Sequence, residues 1–119
     1  LVFLKKSGVL SGRIATSPVA LSSLVGCDRQ QFHTDFDADQ CARAKILPLG
    51  VLLALQDETR LLSTAGPIRL ERGDVLLFDG DFVHAGAAYA HTNTRVHMYL
   101  DSPEVPRRPD TTYLRSSDH

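Results

Sequence analysis

Short apolar runs of strand length, each closed by a turn signal, recur along most of this chain, and they constrain it to an all-β fold. Leu1-Val2-Phe3-Leu4 reads as a strand ended by the turn Lys5-Lys6-Ser7-Gly8. Residues 17–26 are open to two readings, because Ser17-Pro18 also suits the start of a helical turn. Pro48 to Leu55 is almost unbroken apolar sequence; Gly50 and the shortness of the run favour strand over buried helix. Gln56-Asp57-Glu58-Thr59 then makes a turn, and Arg60-Leu61-Leu62-Ser63 is its return strand. Arg72-Gly73-Asp74 precedes the strand Val75-Leu76-Leu77-Phe78, and Asp79-Gly80 is a strong turn dipeptide. Phe82-Val83-His84 forms a short strand ended by Ala85-Gly86. From Arg95 to Leu100 polar and apolar residues alternate, the period of a half-buried strand. The stretch after Asp35, with Asp37, Asp39, Gln40 and Arg43, reads as a surface loop, and prolines at 103, 106 and 109 predict an irregular tail. Many short strands with close turns describe a sandwich or jelly roll with at most short helical turns.

Composition excludes several classes of partner. With 119 residues the chain is one domain (1–119) with a modest core, and a start at Leu1 rather than Met suggests a piece of something longer. A net charge of −1 offers no general attraction to nucleic acid or anionic lipid. The basic pairs Lys5-Lys6 and Arg107-Arg108 read as solvated surface. No apolar run approaches the roughly 20 residues that span a bilayer. Cys27 and Cys41 have neither disulfide-framework nor zinc-knuckle spacing, so both read as reduced thiols, which favours an intracellular setting.

The chemistry lies in the histidines. His33 and Asp35 are two apart at the end of a strand-like segment, so both side chains share one face. An imidazole and a carboxylate so placed offer two adjacent ligands to a divalent metal; a histidine from a distant strand completes a facial triad with open coordination positions. The His-x-Asp pair is weak alone, but His84 closes the strand that follows Asp79-Gly80, and Arg95 opens the next strand eleven residues later. Asp37, Asp39, Asp79 and Asp81 lack the ordered spacing of a calcium loop and read as turn formers and surface charge. His91, beside Thr92 and Asn93, reads as an exposed loop residue.

His33-Thr34-Asp35, His84 and Arg95, in this order and spacing, resemble the 2-oxoglutarate- and iron(II)-dependent dioxygenases, in the branch that includes phytanoyl-CoA-hydroxylase-like enzymes. Gln30 to Phe36 resembles that family's stretch around the first two ligands, and Gly73 to Phe78 its strand before the distal histidine. The likeness covers roughly residues 24–101, with 102–119 as the tail.

The resemblance implies a double-stranded β-helix with Fe(II) on His33, Asp35 and His84, 2-oxoglutarate as co-substrate and ascorbate as reductant. Arg95 would pair with the distal carboxylate of 2-oxoglutarate, a task suited to the planar guanidinium fork. His97 stands where many relatives carry Ser or Thr, and it either adds a second contact to that carboxylate or is a satisfied core histidine. Gln31 shares the face of His33 and is a further candidate contact; Tyr99 reads as packing. The implied reaction is hydroxylation of a small molecule, lipid-like group or peptide.

Two other readings stay open. Oxidative demethylation of nucleic acid is disfavoured by the near-neutral charge and by the lack of a further arginine just after Arg95. A non-enzymatic, metal-binding cupin-like domain or degenerate oxygenase is the other. Relatives of this kind usually carry N-terminal helices against the larger sheet; without them an exposed apolar sheet face would favour self-association.

Overall fold

The alternation along the apolar runs does produce strands, and their pairing closes them into two antiparallel sheets. The computed structural model describes Gly8 and residues 10–108 and 111–115; the run Leu1–Leu4 lies outside the described residues. Among the described residues ten strands are formed: β1 (Ile14–Ala15), β2 (Val19–Ser23), β3 (His33–Thr34), β4 (Leu49–Ala54), β5 (Thr59–Ser63), β6 (Gly66–Leu70), β7 (Val75–Asp79), β8 (His84–Gly86), β9 (Asn93–Asp101) and β10 (Tyr113–Leu114). A short helix, α1 (Ala38–Arg43), interrupts them. The first sheet has the order β1-β9-β4-β7, with β2 also paired to β9; the second has the order β10-β3-β8-β5-β6. From β2 to β9 the chain passes from one sheet to the other at almost every connection, staying within a sheet only in the β5–β6 hairpin. That winding is a jelly roll, a double-stranded β-helix.

β4 is unbrokenly apolar because it runs between β9 and β7 with both faces mostly covered. Its inward residues Leu52 and Ala54 pack with Leu61, Leu70 and Phe78, and with Ile68, Leu76 and Phe82 at the margin. Gly50 faces Phe78, and a Cβ there would fall 2.3 Å from the ring's Cζ, so the ring lies over bare backbone. A second cluster of Phe36, Cys41 and Val105, flanked by Leu47 and Tyr99, fills the other end of the sandwich.

Four local expectations are corrected. The strand expected at Phe82–His84 and ended by Ala85-Gly86 instead starts at His84 and runs through Gly86, because it is His84 to Gly86 that pair with β5. The segment after Asp35 is not all loop: Asp37 caps α1 by accepting from the amides of Asp39 and Gln40 at 2.9 and 3.1 Å. The segment 17–26 contains strand β2, not a helical turn. The tail is not wholly irregular, because β10 pairs with β3 and Ser102 bridges to Val105, which is buried. Among the described residues no helix is long and apolar enough to cross a membrane.

Candidate metal centre

β3 and β8 are neighbours in the second sheet, and their register sets His33 directly opposite His84. The imidazole centroids lie 4.5 Å apart. Two residues on from His33, Asp35 comes to the same side as the period-2 pleat requires. Its Oδ1 lies 3.5 Å from Nε2 of His33 and its Oδ2 3.5 Å from Nε2 of His84. The turn beyond it is fixed by the buried Thr34 hydroxyl, which donates to the Phe36 carbonyl at 2.7 Å, and by the Phe36 amide, which donates to Gly80 at 3.3 Å. The three sequence-predicted ligands are thus brought together, each at most 8% exposed, with one ligand atom apiece inside a span of 4.8 Å.

Both imidazoles are held in one tautomer. Nδ1 of His33 is 2.8 Å from the carbonyl of Gln31, and Nδ1 of His84 is 2.9 Å from the carbonyl of Phe82. A carbonyl only accepts, so each Nδ1 carries a hydrogen and Nε2 is the nitrogen turned toward Asp35; Nε2 of His33 donates to that carboxylate when protonated and is free to ligate a metal once the proton is lost. Phe78 and Phe82 further clamp His84, with ring centroids 4.9 and 6.0 Å away. Burial pushes the Asp35 carboxyl up, but the hydrogen bond with His33 and the charges of the surrounding imidazoles more than reverse this, leaving it below the usual range. The hydrogen bond to Asp35 raises His33, whereas burial lowers His84.

β9 supplies a row of inward side chains facing this pair of strands. Arg95, His97 and Tyr99 stand opposite Ala54, Leu52 and Gly50 of β4. Burial lowers the pKa of His97, whose ring also feels the charges of Asp35, His84 and Arg95. Arg95 is pinned rather than solvated: its guanidinium donates to Asn93 at 3.3 Å and lies 5.6 Å from the centre of the Tyr89 ring. Asn93 in turn donates to the buried Thr59 hydroxyl at 3.0 Å, which donates to the Gln56 carbonyl. Gln31 is exposed, and its backbone carbonyl, rather than its side chain, touches the site through His33.

Several contributors were not legible as such. Tyr99 does pack, edge-on against Phe36 at 5.5 Å, but its ring also stands 4.6 Å from that of His97, beside the site, and burial raises its pKa. The period-2 row with Arg95 was the available signal for it. Arg107 is not a free surface cation: Asp101 accepts from it at 3.1 and 3.3 Å, and its guanidinium lies 4.9 Å from the centre of the Tyr99 ring. His91 is exposed, as a loop residue should be.

A jelly roll of the cupin-like kind, with a His-Asp-His group that could hold a metal at one end, is therefore the class that fold and site define. No family model and no curated protein matches the sequence. Solved structures do match in fold. AviO1 from Streptomyces viridochromogenes Tue57 superposes with a TM-score of 0.65 at 15% identity, over 90% of this chain and 59% of that one. CytC3 gives 0.58 at 16% identity, over 88% of this chain and 52% of the other. An RmlC-like cupin protein from Desulfovibrio desulfuricans gives 0.50 at 14% identity, over 74% and 81%. The chain spans little more than half the length of AviO1 and CytC3, and at these identities the likeness is one of fold.

Proposed function

We propose that this chain is the core of a non-haem iron(II) oxygenase that uses 2-oxoglutarate to hydroxylate a small-molecule, lipid-like or peptide substrate. The observation that carries the reading is the convergence of two Nε2 atoms and one carboxylate, all buried, from strands far apart in the chain. The donor set fits the ion. Two neutral nitrogens and one carboxylate oxygen are the ligands of a facial iron(II) site. Adjacent ligands with bonds of about 2.1 Å lie about 3 Å apart; here each imidazole faces a different Asp35 oxygen at 3.5 Å and the set spans 4.8 Å, so binding an ion would draw the three side chains closer together.

Iron(II) with 2-oxoglutarate supplies the oxidative chemistry: dioxygen is consumed as 2-oxoglutarate loses carbon dioxide to give succinate, and a substrate C–H bond becomes C–OH. The chain's own residues bind and orient. The carbonyls of Gln31 and Phe82 hold the Nδ1 hydrogens and so aim Nε2 of each ring at the metal position. Arg95, held by Asn93 and Tyr89, presents its fork to the distal carboxylate of the co-substrate. His97, on the same face of β9 as Arg95, is half-buried and favoured neutral, so it can donate to that carboxylate without adding charge. The rings of Phe78 and Phe82 shield the rear of the site from water.

The test is succinate release from 2-oxoglutarate with iron(II) and ascorbate, run beside metal analysis. His84→Ala, checked for a retained fold, should lose bound iron and at least about a hundredfold of the activity. Full turnover by that variant would remove His84 from the ligand set, and metal binding without succinate release in the wild type would leave only a metal-binding domain.

A further inference from the structure

The sandwich is open along the seam between edge strands β6 and β7, and a cleft of about 610 Å³ lies there. It is on the scale of a small-molecule site. Its position is set by the register. Ser63 pairs with both His84 and Gly66, and Asp79 pairs with Leu49, so the β5–β6 turn and the 80–83 connection meet at the triad's end of the barrel. The floor is apolar, built from Ile68, Leu76, Phe78 and Phe82. Two of those rings are the ones packed on the imidazole of His84, so the cleft shares a wall with a candidate metal ligand.

The rim carries charge of one sign. Asp79 and Asp81 line it, and no Lys, Arg or His does. Among the described residues neither carboxylate forms an ion pair, although Asp81 is half-buried. Neither serves as a helix cap, the role taken by the nearby Asp37. Arg95 stands toward the other end of β9, level with Ala54, so the cation assigned to the dianionic co-substrate is separated from these two carboxylates by the length of β4.

We propose that this cleft is a ligand site of its own, divided from the metal position by the Phe78 and Phe82 rings, and that it takes a small amine, an ammonium group on an apolar body. The inference concerns binding and stands apart from the oxygenase reading. The apolar body lies on the Phe78 and Phe82 rings, and the ammonium group meets Asp79 and Asp81 at the rim. An anionic ligand of the same shape would face two carboxylates with no compensating cation.

Calorimetric titration of the purified chain with 4-phenylbutylamine and with 4-phenylbutanoate tests this at one carbon skeleton and opposite charge. In low salt the amine should bind at least about fivefold tighter, as for a partly exposed ion pair. The double variant D79N/D81N, which leaves the core untouched, should lose that preference while keeping its melting temperature. Ile68→Trp, which fills the floor, should weaken the amine in a protein that circular dichroism shows to be folded. Equal binding of the two ligands, no binding of either, or an amine preference that survives D79N/D81N would overturn the proposal. Iron content measured on the same samples separates the two readings: a chain that binds iron but shows no amine preference loses the cleft alone. One that prefers the amine but binds no iron loses the oxygenase assignment and keeps the cleft.

Discussion

Cys41 shows at the scale of one residue how burial and neighbouring charge act together. Its thiol is 2% exposed beneath α1 and packs with Phe36 and Val105. Burial, reinforced by Asp81, Asp37 and Asp79, pushes its pKa up to about 11. The folded chain therefore holds the thiol proton more tightly than the unfolded chain, where a thiol titrates near 8.5. The stability it contributes is complete below that ordinary value and is lost as pH rises from about 8.5 toward 11. Urea unfolding of the wild type should weaken over that interval more steeply than unfolding of Cys41→Ala, since Tyr99 and the lysines titrate in both. The variant itself should cost about 1 kcal/mol at neutral pH for the lost sulfur. Parallel stability curves for the two proteins would mean that the thiol ionises normally.

At the scale of the element, α1 is too short to hold itself. A six-residue helix is well below the length that is stable alone, so its ends must be fixed by side chains. Asp37 does this at the N-terminus, and beyond the C-terminus Glu104 accepts from the amides of Lys45 and Ile46, the latter at 2.8 Å. Asp37→Ala should destabilise the domain by about 1 kcal/mol in denaturant titration; an unchanged midpoint would show that the tail alone fixes the helix. Such elements are hard to read from sequence for a physical reason. With six residues there is barely a turn and a half over which a helical period could show. β10 is equally hidden, because its partner β3 lies some eighty residues earlier and the two-residue pairing has no pattern of its own. β6 does alternate, with Ile68 and Leu70 inward, but Gly66-Pro67 masks it; proline is tolerated there because β6 is an edge strand. The long central strands β4 and β9 were legible because each spans enough residues for its face pattern to repeat, and the edge strand β7 because turn signals bound its apolar run on both sides.

For the whole molecule, the part of the site that sequence reveals is the part fixed by local period. His33 and Asp35 share a face whatever the sheet does, and the row Arg95, His97, Tyr99 follows the same rule. The packing of Phe78, from the first sheet, on His84, in the second, depends on how two sheets close over each other, and no spacing encodes that. The same dependence couples the site to stability. Two candidate ligands sit on adjacent strands of one sheet and the third on the connection leaving it, so an ion bound by all three ties β3, β8 and that connection together. Such an ion binds the folded state and has no preformed site in the unfolded chain, so it must stabilise the fold by mass action. At a hundredfold excess over its dissociation constant the gain is about 2.7 kcal/mol, roughly 10 °C in melting temperature for a domain of this size. Manganese(II), which substitutes for iron(II) without oxidising in air, should raise the melting temperature by that order, and a chelator should reverse it. Asp35→Asn removes the anionic donor and should abolish most of the shift, whatever it does to the metal-free melting point. A shift of equal size in Asp35→Asn would place the ion elsewhere on the chain, and the His33, Asp35 and His84 cluster would then be only a buried hydrogen-bonded group.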